Sequence, residues 1–355
     1  MPQNIISQLS SKSTKIRSVF FSLLSCLGLA IILLSIISGP VSIPLSDIII
    51  GLMNTIGLSE VFNGNAIIVE TIRIPRTLLG FSVGFALGVS GAALQGLFRN
   101  PLVDSSLIGV STGGALGAAT WILLGSEIVF LKTIDSALMT PIFAFFGSIM
   151  ILTIIYQIGS KSGYISVAVM LLAGIALNAI AGAILGVMIF ASDDFQLRAI
   201  NFWTLGSVGG ANLKLHGPAM VVALLSSFFI IREAKQLNLL ALGEKEAKYM
   251  GCEVDRTKRR LLLLSALATA SAVSISGIIG FIGLVAPHLI RISVGSDHRI
   301  VLAGSGLLGS ILIIGADIGA RLVVQPAELP LGIMTAIFGG PFFIWLLLKQ
   351  RQYLA

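Results

Sequence analysis

Charge is scarce in this 355-residue chain: 11% of its residues are charged, against about 25% in a soluble domain. Histidine is scarcer still. His216, His288 and His298 stand alone, which argues against a metal centre. Two cysteines, Cys26 in an apolar run and Cys252 in a charged loop, give neither a disulfide framework nor a thiolate site. No GxxxxGK[ST] loop is present, so nothing here cradles a nucleotide. No HExxH and no Ser/His/Asp arrangement is present either, which leaves an intramembrane enzyme without a nucleophile or a metal. The net charge of +7 comes with no basic stripe interleaved with aromatics, so it is not a nucleic-acid footprint.

What the chain has is apolar length. Apolar residues make up 55% of it, and the mean hydropathy is +0.99. Ten apolar runs are long enough for helices that cross a bilayer of about 30 Å. They lie near 19–39, 74–97, 106–125, 138–158, 165–191, 216–232, 261–277, 279–294, 300–323 and 329–348. The pair over 261–294 also reads as one span plus a re-entrant piece, because Gly277, Gly280 and Gly283 interrupt it and Pro287 follows. The expected fold is an all-α polytopic membrane protein, with residues 1–355 as one transmembrane domain. Lys12, Lys15 and Arg17 close a short tail over 1–18. The apolar run after it is too long for a cleaved signal, so it is expected to be retained as the first span.

Charge sets the expected topology. With ten spans and both termini cytoplasmic, seventeen of the 23 basic residues fall inside, as the positive-inside rule prefers. Eight of them run from Arg232 to Arg260, across the longest charged loop at about 233–260, where one or two short helices are expected. That loop reads as solvated or as a docking surface for a soluble partner that delivers force. Arg73 and Arg76 at the start of span two, and Arg321 at the end of span nine, fall on the opposite side. An arginine is costly at mid-bilayer, so these should sit at the interface. There they would be anchors, or a basic patch for an acidic partner outside. Asp104, Asp317 and Glu328 lie near span ends and read as structural. His288 follows Pro287, where an imidazole can satisfy freed backbone. Asn178 lies mid-span, as an interhelical hydrogen bond or a pathway position. Gly80, Gly84, Gly88 and Gly91 recur at helical spacing along span two, a face that lets another backbone come close.

Several stretches carry a resemblance. They are RIPR at 73–76, SGAALQGLFRNPLVD at 90–104, LIGVSTGGALGA at 107–118, SGIIGFIGLVAPHLIR at 276–291, GSDHR at 295–299, and ADIGARLV through PAELPLGIMTAIFGGPFFIWLLLK at 316–349. In this order, on a ten-span profile, the chain resembles the FecCD family, permease subunits of ABC importers for ferric siderophores, haem and vitamin B12. The resemblance implies a type II importer fold in a bacterial inner membrane and a second permease subunit, expected to be an identical copy. It implies two ATP-binding subunits, with ATP and Mg²⁺ held there and not here. It implies a periplasmic or extracellular substrate-binding protein, whose glutamates would meet Arg73, Arg76 and Arg321. ATPase coupling would map to Ala241, Gly243, Glu244, Ala247, Met250 and Gly251. The segment DDFQLRAINFWTLGSVGGAN looks most similar to haem permeases, so haem is the expected substrate. Arg198 would meet a propionate, Phe202 or Trp203 a macrocycle face, and Asn178 the pathway. Spans two, five and eight are expected to line that pathway. Val103-Asp104-Ser105 departs from relatives that carry proline at the third position, which leaves the local turn open. Ferric siderophore or cobalamin import is the alternative. A gradient-driven transporter would want carboxylates buried mid-span, and none is evident.

Overall fold

The computed structural model describes residues 2–58, 61, 63–125, 136–161, 164–325 and 327–351, with 2–16, 107, 136, 161, 347, 350 and 351 described as backbone only. Helices dominate: α1 (Pro2–Ile37), α2 (Leu45–Thr55), α3 (Gly64–Ile68), α4 (Ile74–Phe98), α5 (Val110–Leu124), α6 (Ser136–Gly159), α7 (Val167–Phe190) and α8 (Asp194–Leu205). There follow α9 (Leu213–Arg232), α10 (Ala234–Leu242), α11 (Glu244–Tyr249), α12 (Val254–Ser276), α13 (Ile282–Val294), α14 (His298–Val323) and α15 (Leu331–Arg351). A two-residue hairpin, β1 (Ser160–Lys161) and β2 (Tyr164–Ile165), joins α6 to α7.

Each of the ten expected spans has a helix, but only seven helices among the described residues are long and apolar enough to cross a membrane. Val110–Leu124, Ile282–Val294 and Leu331–Leu346 are shorter apolar helices. The first loses its opening residues to a 3-10 turn at Ser105–Ile108. The second starts late because Gly277 and Phe281 take positive φ, and the backbone between them is extended or bent. Thirteen residues rise about 20 Å, short of the bilayer core. Gly283 at the start of α13 packs against Leu87 and Gly91, well down α4. The segment 261–294 is therefore a full span, a break and a partial helix. The short tail over 1–18 is instead continuous with α1, which is helical from Pro2.

The centre is α4, buried at all but three of its 25 residues. The glycine stripe explains how. A Cβ on Gly84 would collide with the Gly309 carbonyl, and one on Gly309 with the Gly84 carbonyl. Gly88 would meet Ser305 backbone and Gly91 would meet Gly283. The α4 and α14 backbones touch without side chains between them, which is how helices associate tightly in lipid. Span two is thus largely enclosed within the chain, with Leu78 exposed and Phe81 and Phe85 half-buried. Helix α7 is the opposite case. Met170, Ala173, Gly174 and Ala181 are its only buried residues, and Leu172, Ile175, Ile180 and Val187 are exposed.

Candidate functional site

The bundle has two polar ends. At one, α1 stops, α4 begins, α14 ends and α15 begins. The expectation of an open basic patch here is corrected: Arg73, Arg76 and Arg321 are 4%, 7% and 3% exposed. Each is used inside the subunit. Arg73 donates to the Ile36 and Ile37 carbonyls at 2.8 and 2.6 Å and to Val41 O, closing the end of α1. The Ile36 and Ile37 carbonyls, at the last turn of α1, have no partner within the helix, so a cation is favoured there. Gly39 leaves room for it, since a Cβ would lie 2.9 Å from Arg73 Nη2. Arg321 donates to Ser35 Oγ at 3.0 Å and to Ser38 O at 2.9 Å. Arg76 forks onto Asp317 at 2.7 to 3.1 Å and reaches Glu328 at 2.8 Å. Arg321 shares Asp317 at 3.1 Å. Three cations and two carboxylates thus lock α1, α4, α14 and the start of α15. Of the two carboxylates only Glu328 faces solvent, its side chain 39% exposed.

Next to this end stands α8. Asp193 accepts from Gln196 N at 2.8 Å, and Gln196 Oε1 accepts from Asp193 N at 3.2 Å, a capping box that fixes the start of the helix. Arg198 and Phe202 lie four residues apart on its exposed side, Phe202 66% exposed. Trp203 is half-buried and turned toward α5, its ring near Gly114. The structure therefore brings Arg198 and Phe202 together and separates Trp203 from them. Asn178 lies elsewhere, on α7, where it donates to Ser106 O at 3.0 Å and leaves its own oxygen unpaired. His288 does not repair backbone as expected. Its ring stands edge-on to Phe342, and its buried Nδ1 has no partner.

The other end carries α10 and α11, the two short helices anticipated for the charged loop. Gly243 joins them at φ 138°, and like Ala247 it is buried. These two pack the loop and offer almost no surface of their own. Ala241, Met250 and Gly251 are exposed, and Glu244 is partly so. Leu242 and Tyr249, not singled out from sequence, are 62% and 91% exposed. Apolar residues so exposed are notable, but exposure belongs to the fold, and no pattern in the sequence marks these two. Lys258 of α12 is only 1% exposed and holds the loop in place. Its Nζ pairs with Glu244 at 2.7 Å, donates to Ile165 O at 3.2 Å and lies over the Tyr164 ring.

The chain as a whole is similar to known proteins. Residues 27–349 match the FecCD transport family. The chain belongs to that family. The hemin transport system permease protein HmuU of Yersinia pestis is 47% identical over 281 residues, 79% of this chain and 83% of its own length. The cobalamin import system permease protein BtuC of Halobacterium salinarum is 40% identical, over 81% of this chain and 74% of its own. Among solved structures, the inward-facing form of a transporter assigned to the metal-chelate ABC type aligns with a TM-score of 0.77 and 29% identity, covering 92% of this chain and 99% of that one. The turn at Ser105, left open by the sequence, is ordered. Asp104 accepts from Ser105 N at 2.7 Å and caps the 3-10 segment that the serine opens.

Proposed function

We propose that this chain is the permease subunit of an ABC importer that carries haem into the cytoplasm of a bacterium, across its inner membrane, with both termini inside. Two copies would enclose the pathway. ATP and Mg²⁺ would be bound by two separate ATPase subunits, and a periplasmic or extracellular binding protein would deliver the haem. The observation that carries the substrate is the 47% identity to a hemin permease. The 40% match to a cobalamin permease favours the second reading, import of cobalamin or a ferric siderophore by the same mechanism.

Each end would then have its own role. Exposed Leu242, Tyr249 and Met250 suit an apolar seat on the ATPase, while Lys258 ties that seat to the α6–α7 hairpin. Force on α11 would then reach α7, whose apolar faces are open to a second copy. At the outer end Arg73, Arg76 and Arg321 hold four elements together, so the binding protein would meet a preformed surface with Glu328 at its edge. Charge there would set register and encounter rate more than affinity. Arg198 and Phe202 offer a cation and an aromatic face from one helix, which suits a macrocycle with propionates.

The test is ATP-driven uptake in proteoliposomes holding the permease and its ATPase, with the binding protein offering haemin, a ferric siderophore and cobalamin in parallel. Haemin uptake alone is expected. Siderophore or cobalamin uptake with haemin ignored refutes the substrate. No ATP-dependent uptake of any of them refutes the importer.

A further inference from the structure

Helix α2 has three flanks, and one of them has no occupant in any role above. Ile48 and Gly51 are buried, and Leu52 packs beside them. Ile48 enters a cluster with Ile36 of α1, Val69 and Ile74. Gly51 lets the helix come close, since a Cβ there would lie 2.8 Å from Val69 Cβ and 2.9 Å from Ala66 O. A second flank is polar. Asp47 accepts from Asn63 at 3.0 Å and from Asn65 at 2.8 Å, and Asn54 donates to Val61 O at 3.0 Å. The third flank carries Leu45, Ile49 and Met53, four residues apart, and all three are exposed. At roughly 100° per residue they fall within about 80° of arc, opposite Asp47 and Asn54.

The packing also sets the height of α2. The apolar part of α1, Arg17–Ile37, has 21 residues and rises about 31 Å, the thickness of a hydrocarbon core. Ile36 therefore stands at one boundary of that core, and Ile48 packs on it. Ile43 before α2 and Leu52 late in it reach the same cluster, so the helix does not climb away from this level. Little of α1 is buried, so its outer side faces lipid. Leu34 and Ile37 in its last turn are exposed, and the free flank of α2 continues that surface.

Charge speaks against a soluble partner here. From Gly39 to Leu58 the one charged residue is Asp47, and two asparagines hold it on the far flank. A patch that binds a soluble protein carries a polar rim around its apolar centre. Within α2 only Ser46 borders the stripe. An apolar flank level with the core boundary, with polar groups turned the other way, is the form of a helix that lies on a membrane.

We propose that α2 is an interfacial helix, its Leu45–Ile49–Met53 flank seated among the lipids of the leaflet at the ion-paired end. Arg73 passes this seat on to that end. It bonds the Ile36, Ile37 and Val41 carbonyls, so the turn leading into α2 is tied to the start of α4. Lipid under α2 thereby fixes the level at which the ion-paired end stands on the membrane. This rests on α1 spanning the membrane and not on what is transported.

The experiment is spin labelling of the full chain in liposomes. The parent is Cys26→Ala; Cys252 is buried, and the parent treated with label gives the blank. Onto it go, one at a time, Ile49→Cys, Met53→Cys, Leu29→Cys on α1 and Asp194→Cys on α8, all at exposed positions that tolerate a label. Collisions with oxygen, which concentrates in lipid, are compared with collisions with a nickel chelate, which stays in water. Oxygen should dominate at Ile49→Cys and Met53→Cys, by less than at mid-span Leu29→Cys, because an interfacial helix reaches only part-way into the leaflet. The chelate should dominate at Asp194→Cys. Should Ile49→Cys not fold, Met53→Cys still decides. The chelate dominating at both α2 positions, with oxygen dominating at Leu29→Cys, puts the flank in water and overturns the proposal alone. Few collisions with either reagent mean that protein covers the flank, a second copy included, and overturn it as well. The chelate dominating at Leu29→Cys too would remove the span, and the membrane reading with it.

Discussion

Asp317→Asn tests the ion-paired end most directly. Asp317 is 3% exposed and is the shared acceptor of Arg76, through Nε and Nη2, and of Arg321. The amide keeps the shape but removes the charge and turns half of the acceptor into a donor facing guanidinium. Breaking a buried pair by removing one partner costs about 3–5 kcal/mol, mostly because the surviving charge is left uncompensated. Glu328 softens this for Arg76 only, by its contact at 2.8 Å. The control is Glu328→Gln, whose side chain is 39% exposed, so its loss should cost less than about 1 kcal/mol. For a chain of this size roughly 1–2 °C of midpoint shift accompanies each kcal/mol, by extension from smaller domains. Asp317→Asn should therefore lower the thermal midpoint in detergent by about 3–10 °C, and Glu328→Gln by about 1 °C. A third variant, Arg76→Met/Asp317→Leu/Arg321→Met, should recover part of the loss, because a packed apolar replacement need not be worse than a buried ion cluster. Equal, small shifts for Asp317→Asn and Glu328→Gln would refute the reasoning. The arginines would then be solvated, as a docking patch requires.

Gly88→Val should prevent tight packing of α4 on α14, since the Ser305 backbone it meets cannot turn aside. A loss of about 3 kcal/mol or more is expected, read as a collapsed monodisperse peak in size-exclusion, whereas Gly182→Ala, with nothing within 4 Å, should behave as wild type. Lys258→Met should leave folding within about 2 kcal/mol of wild type yet lower haemin moved per ATP hydrolysed, because Glu244 and Ile165 lose their common tether; an unchanged ratio would remove Lys258 from the coupling route. Asp297 gives a pH test. Burial works to raise its pKa, but the Asn238 amide, the Arg299 backbone N–H and the charges of Arg17 and Arg299 outweigh it and hold the group below the usual carboxylate value. Its contribution is complete above the unfolded value near 3.9 and is lost as pH falls through the lower folded value. Thermal midpoints should fall more steeply below about pH 4 in wild type than in Asp297→Asn, and parallel curves would count against the cap.

The helices were legible because a span announces itself through some twenty apolar residues in a row. The glycine stripe was legible too, since spacing alone puts Gly84 and Gly88 on one face. What these residues face was not, because Gly309 and Ser305 are over 200 positions away. The same distance hid the fate of the arginines. Asp317 is 241 residues from Arg76 and Glu328 is 252. Read singly, each charge looks interfacial, and only folding shows them consuming one another. The pair Asp317 and Arg321, four apart on one helix, was the available clue. In the charged loop, periodicity pointed to the helices but could not tell Ala247, which packs, from Tyr249, which does not. The late start of α13 escaped a hydropathy reading because Phe281 is as apolar as its neighbours; its left-handed φ of 68° is a backbone property.

The backbone contact between α4 and α14 also limits how this protein can move. Side chains give a helix interface its slack, because rotamers change and absorb a shift of an ångström or two. Where Gly84 meets Gly309 and Gly88 meets Ser305 there are none to change. Sliding would drive carbonyl into Cα, and separation would expose bare backbone to lipid, where each unsatisfied polar group is expensive. The two helices are in effect one rod, tied at one end by Arg76 on Asp317. Any opening and closing has to hinge elsewhere. The loosely held α7 and the break at Gly277–Phe281 are the places left for it.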